Sequence, residues 1–329
     1  MLPKISVIIP VRNDGVILRR CLESLRSADY PKDRLEVIVV DGLSTDDTAK
    51  VAASYGARVI PNEKRLVAPA RNIGFAASTG EIAAYIDADC VVDKGWLANC
   101  VKYFDDKTVG GVSGPTLPPP EAARFEKAVE VIFNMSELFR LTSHRRRIKE
   151  SVESVDLPGC NAIFRRAALD KAMPVGEHLV AADDSLISFR VRQAGYKLLF
   201  APDVTLWHYH HNPPRKFYIR MIRYSIGRLQ AAKIDSGMIS VWHVLLGLSI
   251  PIFLSVFITF ALAGALKLFL GFAALAAVLM FAAGIVRTRS FVIAAEFIWA
   301  SILFAFGWSY GFLSELLFPP KAADKKRER

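Results

Sequence analysis

Short apolar runs alternate with amphipathic stretches over the first ninety residues. Residues 5–10 (ISVIIP) form a continuous β-branched run, the pattern of a strand buried on both faces. Ile17, Leu18, Cys21, Leu22 and Leu25 then recur at helical spacing across 14–28. Residues 35–40 (LEVIVV) predict a second buried strand, and 44–55 a second helix with Ser44 or Thr45 as its N-cap. A third strand is expected over 57–61, a third helix over 69–78, a fourth strand over 81–87 (EIAAYID) and a later helix over 185–193. Strands alternating with helices predict an α/β fold with a doubly wound, parallel sheet. In such sheets ligands gather beyond the carboxyl ends of the strands, so the polar residues there carry the functional information. They are Arg12, Asn13 and Asp14 after the first strand, Asp41 after the second, and Asp87 and Asp89 after the fourth.

The pattern changes after residue 240. Segments 241–262, 269–286 and 291–313 are apolar for roughly the 17–25 residues that a membrane-spanning helix needs. They lack the polar stripe of a soluble helix. Gly264 and Lys267 mark a tight turn between the first two, and Arg287 and Arg289 lie between the second and third. The positive-inside rule puts Arg287 and Arg289 in the cytosol, and three full spans then leave the basic tail outside, against the same rule. A re-entrant or interfacial third segment and an exceptional tail both remain open. Just ahead, 214–233 interleaves Arg215, Lys216, Arg220, Arg223, Arg228 and Lys233 with Phe217, Tyr218, Met221 and Tyr224, predicting an interfacial helix held by anionic headgroups. Arg220, Arg223 and Tyr224 are its candidate membrane-interface residues. Arg145, Arg146, Arg147 and Lys149 form a second basic cluster, facing the same surface or an ordinary solvated loop. The expected organisation is an α/β domain over 1–212, a basic amphipathic helix over 213–239, a membrane region over 240–318 and a basic tail over 319–329.

Composition fits this division. The 329 residues carry a net charge of +10 and are 52% hydrophobic. The charge concentrates in 213–233 and in the tail, leaving the α/β part close to neutral, without the basic face and stacking motifs of a nucleic-acid partner. Cys21, Cys90, Cys100 and Cys160 form no CxxC pair, so neither a zinc site nor a disulfide scaffold is expected. No basic n-region followed by a long apolar stretch opens the chain, so no signal peptide is expected, and the α/β part is expected in the cytosol.

Asp87-Ala88-Asp89 ends a buried strand, where two carboxylates need a cation or hydrogen-bond donors to stay ionised. Mg²⁺ or Mn²⁺ bridging nucleotide phosphates supplies that charge. Arg71 and Asn72 lie at a predicted helix start, where Arg71 can clamp a phosphate or form a surface salt bridge. Asp183-Asp184 precedes a helix, and the pair suits either a general base with a supported neighbour or plain dipole stabilisation. Gly159 in the turn Gly159-Cys160-Asn161 permits close backbone approach to a ligand, or belongs to a simple loop. His208 is a candidate metal ligand. No GxGxxG follows the first strand, which counts against a dehydrogenase.

These pieces together resemble a membrane-anchored family 2 glycosyltransferase of the Rossmann-like GT-A fold. The matching motifs are IIPVRND (8–14), DGLSTDDT (41–48), ARNIGF (70–75), YIDADC (85–90), LPGCNAIFRR (157–166) and ADDSLISFRVRQAGYKL (182–198), in the family's order over roughly the first 230 residues. The resemblance implies that Pro10, Asn13, Asp41 and Arg71 line the nucleotide site. It implies that Asp87 and Asp89 hold a metal–diphosphate and that Asp184, aligned through Arg190 and Gly195, is the catalytic base. Arg12 stands where the family usually has Tyr or Phe, Asp14 where it has its acidic residue, and Asp183-Asp184 where it has Glu-Asp. The QxxRW of processive members appears only as 220–224 (RMIRY). The implied activity is inverting transfer from a nucleotide-diphosphate sugar to a hydroxyl of a lipid-linked acceptor. The partners are that donor, the acceptor and membrane lipids, at a multi-pass cell-membrane location. A polyprenyl-phosphate sugar synthase and a non-catalytic membrane scaffold are the alternatives.

Overall fold

A computed structural model describes residues 2–136, 149–209 and 213–319 of the protein. Arg145–Arg147, His210, His211 and the tail from Lys321 lie outside the described residues. Those described form two compact units, the first comprising 2–119 and 149–209, the second 120–136 and 213–319.

The first unit opens as β1 (Ile5–Val11), α1 (Gly15–Arg26), β2 (Leu35–Asp41), α2 (Thr48–Ser54), β3 (Arg58–Pro61), α3 (Val67–Ala77) and β4 (Ile82–Ile86). It continues through β5 (Cys90–Val92), α4 (Trp96–Tyr103), β6 (Val109–Ser113) and β7 (Thr116–Leu117). After α5 (Arg124–Ser136), part of the second unit, come β8 (Val152–Ser154), β9 (Asn161–Arg165), α6 (Arg166–Ala172), α7 (Asp183–Gln193), β10 (Lys197–Phe200) and β11 (Leu206–His208). Eight strands make one sheet in the order β3-β2-β1-β4-β9-β6-β10-β8. Here the parallel expectation needs correction. β1 to β4 are parallel, but β9 runs antiparallel to both β4 and β6. β9 centres on Ala162, Ile163 and Phe164, buried like the residues of its neighbours, and such a run carries no sign of strand direction. The smaller sheet, β5-β11-β7, sets His208 opposite Cys90 in an antiparallel pair.

Apolar side chains of β1, α1 and α4 meet in one core, with Ile5, Ile9, Leu18 and Trp96 fully buried. Each such side chain contributes about 1.5–3 kcal/mol by leaving water. All four cysteines are free and buried. The second helix begins at Thr48 rather than 44. Ser44 is instead drawn into the preceding turn, donating its Oγ–H to Asp41 Oδ1 (2.5 Å) and accepting from Asn13 N (2.8 Å).

The second unit contains α5, α8 (Pro214–Ile234), α9 (Val241–Gly247), α10 (Ser249–Leu262), α11 (Leu266–Thr288) and α12 (Phe291–Leu317). α5 belongs here rather than to the α/β part. Its Phe125, Ala128, Val129, Ile132 and Phe133 form one helical stripe that packs with Phe297, Ala300 and Phe304 of α12. α11 and α12 are each long and apolar enough to cross a membrane. The expected span over 241–262 is not one straight helix but α9 and α10, bent by 58°. Pro251 explains the break, since it has no N–H to give to the carbonyl four residues back and its ring crowds that carbonyl. The carbonyl is that of Gly247, and Ser309 Oγ donates to it instead, at 2.8 Å.

α8 is more than a surface helix. Its backbone runs against α12 where Gly307 and Gly311 leave room, so a Cβ on Gly311 would come within 2.5 Å of the Ile222 carbonyl oxygen. Ser225 Oγ donates to the Trp308 carbonyl across this contact. Arg220, expected to reach lipid, has its guanidinium 5.5 Å from the Phe133 and Phe217 ring centres and 6.0 Å from that of Tyr224. Tyr224 itself is half-buried against the same cluster, whereas Arg223 is exposed.

Candidate active site

The carboxyl ends of β1, β2 and β4 carry the expected polar residues, and the hydrogen bonds separate those that brace the loops from those that remain for chemistry. Asn13 adopts a left-handed backbone (φ 53°), and its side-chain oxygen accepts from Thr45 N at 2.7 Å. Asp14 N donates to Thr48 Oγ1 at 3.0 Å. Asp41 accepts from Ser44 N (3.1 Å) as well as from the Ser44 hydroxyl, forming a turn of the Asx type. These bonds sew the loop after β1 to the loop after β2. Arg12 is exposed, with its aliphatic stem over Gly42, and Pro10 is half-buried at the end of β1.

Asn72 and Asn161 use their amides within the fold. The Asn72 amide donates to the Val175 carbonyl (2.9 Å) and accepts from Val175 N (3.0 Å), so both halves hold the segment after α6. Asn161 is fully buried. It donates to the Gly114 and Val204 carbonyls (3.0 Å each) and accepts from Trp96 Nε1 (2.9 Å).

Asp183 and Asp184 occupy the first turn of α7, entered through Ala182 in a left-handed conformation (φ 63°). Asp183 is buried, with Oδ2 2.5 Å from Nη1 of the equally buried Arg71. Burial by itself favours a neutral Arg71, but Asp183, Asp184 and Asp87 around it outweigh that and keep it protonated. Arg71 is therefore a buried partner of Asp183. Gly159 is what lets it sit there: a Cβ on residue 159 would lie 2.1 Å from Arg71 Nη2.

Asp184 is held differently. Gly159 N donates to its Oδ2 and Ser185 N to its Oδ1, both at 2.8 Å, while the side chain stays partly accessible. Around it, Ser185 Oγ donates to Asp156 Oδ2 (2.6 Å) and Leu157 N donates to Ser188 Oγ (3.0 Å), locking α7 to the 156–159 turn. Arg190 Nη1 donates to the Ala172 and Pro174 carbonyls, 2.9 Å each, fixing the other side of α7. Asp156, Ser185 and Ser188 gave no sequence signal, because their roles depend on contacts between segments distant in the chain.

At the end of β4, Asp89 Oδ1 lies 2.8 Å from His208 Nε2, and Asp87 Oδ2 lies 3.9 Å from it. The antiparallel pairing of β5 and β11 delivers the imidazole to this place. Burial disfavours a charged His208, yet Asp89 beside it pushes its pKa well above the usual value. Burial raises the Asp87 carboxyl to about 7, and Asp89 adds to the shift. Asp89, Cys90 and His208 each bring a ligand atom within 4.8 Å of the others. Burial holds Cys90 as a thiol, so hard cations are left with carboxylate oxygen and imidazole nitrogen, a donor set that fits Mg²⁺ or Mn²⁺. Cys160 lies just below, its carbonyl 3.7 Å from Cys90 Sγ.

A mixed sheet with this strand order, an Asp-x-Asp pair at the end of its fourth strand and an acidic pair opening a late helix define a nucleotide-sugar transferase fold of the GT-A type. The model described as Glycosyl transferase family 2 matches residues 6–172, and the chain belongs to that family. It is similar to glycosyltransferase AglE of Haloferax volcanii, 29% identical over 250 residues that cover 73% of this chain and 75% of that one. It is also similar to the O-antigen chain rhamnosyltransferase RfbN of Salmonella typhimurium, at 25% identity over 66% of this chain and 70% of that one. Among solved structures, mannosyltransferase PcManGT from Pyrobaculum calidifontis, in complex with GDP-Man and Mn²⁺, shares the fold. Its TM-score is 0.64 at 24% identity, over 92% of this chain and 87% of that one.

Proposed function

We propose that the protein transfers a sugar, with inversion, from a nucleotide-diphosphate sugar to a hydroxyl of a lipid-linked acceptor held at the membrane. The observation that carries this reading is the division of labour within Asp183-Asp184. Asp183 is neutralised by Arg71, while Asp184 stays partly accessible on a rigid turn. A bare phosphate acceptor is already ionised and needs no base, whereas a hydroxyl must lose a proton as it attacks. Asp184 accepts that proton. Gly159 N and Ser185 N fix its orientation, and the Arg71–Asp183 pair prevents the neighbouring carboxylate from rotating into the same space.

Asp87, Asp89 and His208 would hold Mg²⁺ or Mn²⁺, which when bound offsets charge on the departing diphosphate. The loops joined by Asn13, Asp41, Ser44 and Thr45 form the floor proposed for the nucleoside, with Arg12 exposed beside them and Asp14 and Pro10 setting the loop's exit from β1. The GDP-Man and Mn²⁺ bound by the similar mannosyltransferase, and the similarity to an O-antigen chain rhamnosyltransferase, favour this assignment. The long apolar helices of the second unit favour a membrane-held acceptor, and a multi-pass protein with its catalytic unit in the cytosol completes the proposal.

The test measures nucleotide release from a panel of UDP- and GDP-sugars by the full chain in lipid vesicles, with and without lipid-linked saccharides. Release that needs a saccharide hydroxyl is expected. Release driven equally well by a bare polyprenyl phosphate would instead assign the synthase reaction.

A further inference from the structure

The second unit contains two kinds of apolar helix. α10 has no buried residue and α11 has one, Gly284, so their sides are open nearly throughout. α10 meets α11 through Phe253, Phe257 and Phe260 around Phe269, the end of α11 meets the start of α12 where Gly284 faces Ala294 and Phe297, and the sole charged residue between 249 and 286 is Lys267, next to the turn. α12 differs. Phe125, Ala128 and Phe133 of α5 pack with Phe297, Ala300 and Phe304, and α8 runs alongside from Gly307 to Glu315. Lys233 Nζ lies 2.6 Å from Glu315 Oε1, tying the two helix ends together.

That companionship limits what α12 can do. From Arg215 to Lys233, α8 spreads six basic residues over about 27 Å of helix, and Arg215, Lys216, Arg223 and Lys233 are exposed. A crossing α12 would draw them into hydrocarbon, where a charged side chain near the bilayer centre is strongly disfavoured. The part of α12 ahead of α8, residues 291–303, covers only about 20 Å as helix, short of the ~30 Å hydrocarbon core. α5 flanks even that part and brings Arg124, Glu126, Lys127 and Glu130 with it. The outer side of α12 is nonetheless apolar. Trp299, Ile302, Phe306 and Tyr310 are 44–61% exposed, and their spacing keeps them on one face.

We propose that α12 lies along the membrane surface, with its Trp299–Ile302–Phe306–Tyr310 face against a bilayer containing anionic lipid. In this arrangement only the α10–α11 hairpin, among the described residues, enters the hydrocarbon. The basic residues of α8 face the headgroups, as in helices that lie in the interface plane. The hairpin returns the chain to the side it left, so the tail, with five basic and two acidic residues over 321–329, ends on the same side as α8. The positive-inside conflict of a three-span reading then disappears. This inference rests on the proposed membrane attachment, and its test separates the two.

The full chain is reconstituted in phosphatidylethanolamine–phosphatidylglycerol vesicles with single nitroxide labels at Trp299→Cys, Phe306→Cys or Tyr310→Cys on α12, and at Leu268→Cys, Leu275→Cys or Val286→Cys on α11. The four native cysteines are buried, and the unsubstituted chain sets the labelling background. Power saturation with oxygen and a nickel chelate reads depth. The three α12 labels should agree within about one helical turn, ~5 Å, while the α11 labels step through the bilayer. A steady change of about 16 Å from residue 299 to 310, with α11 still deep, overturns the surface placement and leaves the attachment standing. Shallow α11 labels overturn the attachment and the inference with it. Epitope tags at residues 1 and 329 give a measurement free of substitutions in the helices. Protease access from one side of sealed vesicles supports the proposal, and access from opposite sides overturns it.

Discussion

Arg71 and Asp183, 112 positions apart in the chain, form a buried ion pair whose Nη1 and Oδ2 atoms lie 2.5 Å apart beneath Gly159. The pair makes two adjacent carboxylates chemically different. Asp183 lies inside with a fixed counter-charge, while Asp184 is oriented by backbone N–H groups.

Substitution of the two acids should therefore have unlike effects. Asp184→Asn removes the proton acceptor and should lower kcat by about 10²–10⁴ while nucleotide affinity is kept. Asp183→Asn leaves a buried guanidinium without its charge partner and should cost about 3–5 kcal/mol of stability, seen as a lowered Tm. Turnover retained in Asp184→Asn would remove the base assignment, and an unchanged Tm in Asp183→Asn would remove the structural one.

Gly159→Ala tests the same arrangement from the opposite wall. The added methyl would lie 2.1 Å from Arg71 Nη2, so the guanidinium must leave Asp183 or the turn must lift away from Asp184. Either movement should reduce kcat at least about tenfold, since misplacing a reacting group by an ångström can cost a hundredfold. A crystal structure of the variant with Arg71 unmoved and full activity retained would contradict this account.

Asp87, Asp89 and His208 make a prediction about metal and pH. EDTA should weaken donor binding, and His208→Ala should weaken Mn²⁺ binding at least about 10-fold, since losing even an outer-shell partner of a ligand costs about 10–100-fold. Because burial raises the Asp87 carboxyl to about 7, that group holds a proton below this pH and must release it when a cation binds. Mn²⁺ affinity should then fall as pH drops through about 7 and, because Asp89 also keeps the His208 imidazole protonated above its usual pKa, continue to rise above pH 7 until His208 has released its proton as well. Titration calorimetry in two buffers of different ionisation enthalpy reads both affinity and proton release. No metal-dependent difference in donor binding would argue against a metal at this site.

Much of the site was legible in the sequence because strand ends announce themselves. A buried run followed by polar residues fixes where Asp41, Asp87 and Asp89 stand without knowledge of anything else. The role of each polar group was less legible. Asn72 and Asn161 sit within the right motifs, yet their amides hold the backbone at Val175, Gly114 and Val204. Hydrogen-bond capacity is visible in a sequence, but the partner that takes it up is not. Strand direction in β9 was hidden for a similar reason, since periodicity is the same read either way. The α5 helix shows an apolar stripe that any core could accept, and its assignment to α12 depends on distant Phe297 and Phe304.

Pro251 and Ser309 offer the sharpest test of the helical unit. Pro251 withholds the N–H that Gly247's carbonyl would receive in a continuous helix, and Ser309 Oγ supplies a donor at 2.8 Å. Ser309→Ala should leave a buried carbonyl unsatisfied and cost about 1–3 kcal/mol. In a Pro251→Ala background the amide of residue 251 can take that carbonyl as α9 and α10 straighten. The same Ser309→Ala change should then cost little. A double-mutant cycle on Tm in detergent measures the difference, and the two substitutions should couple by most of the single-mutant effect. Additive losses would mean that the bend between α9 and α10 does not arise from the missing amide, and that Ser309 stabilises α12 by other means.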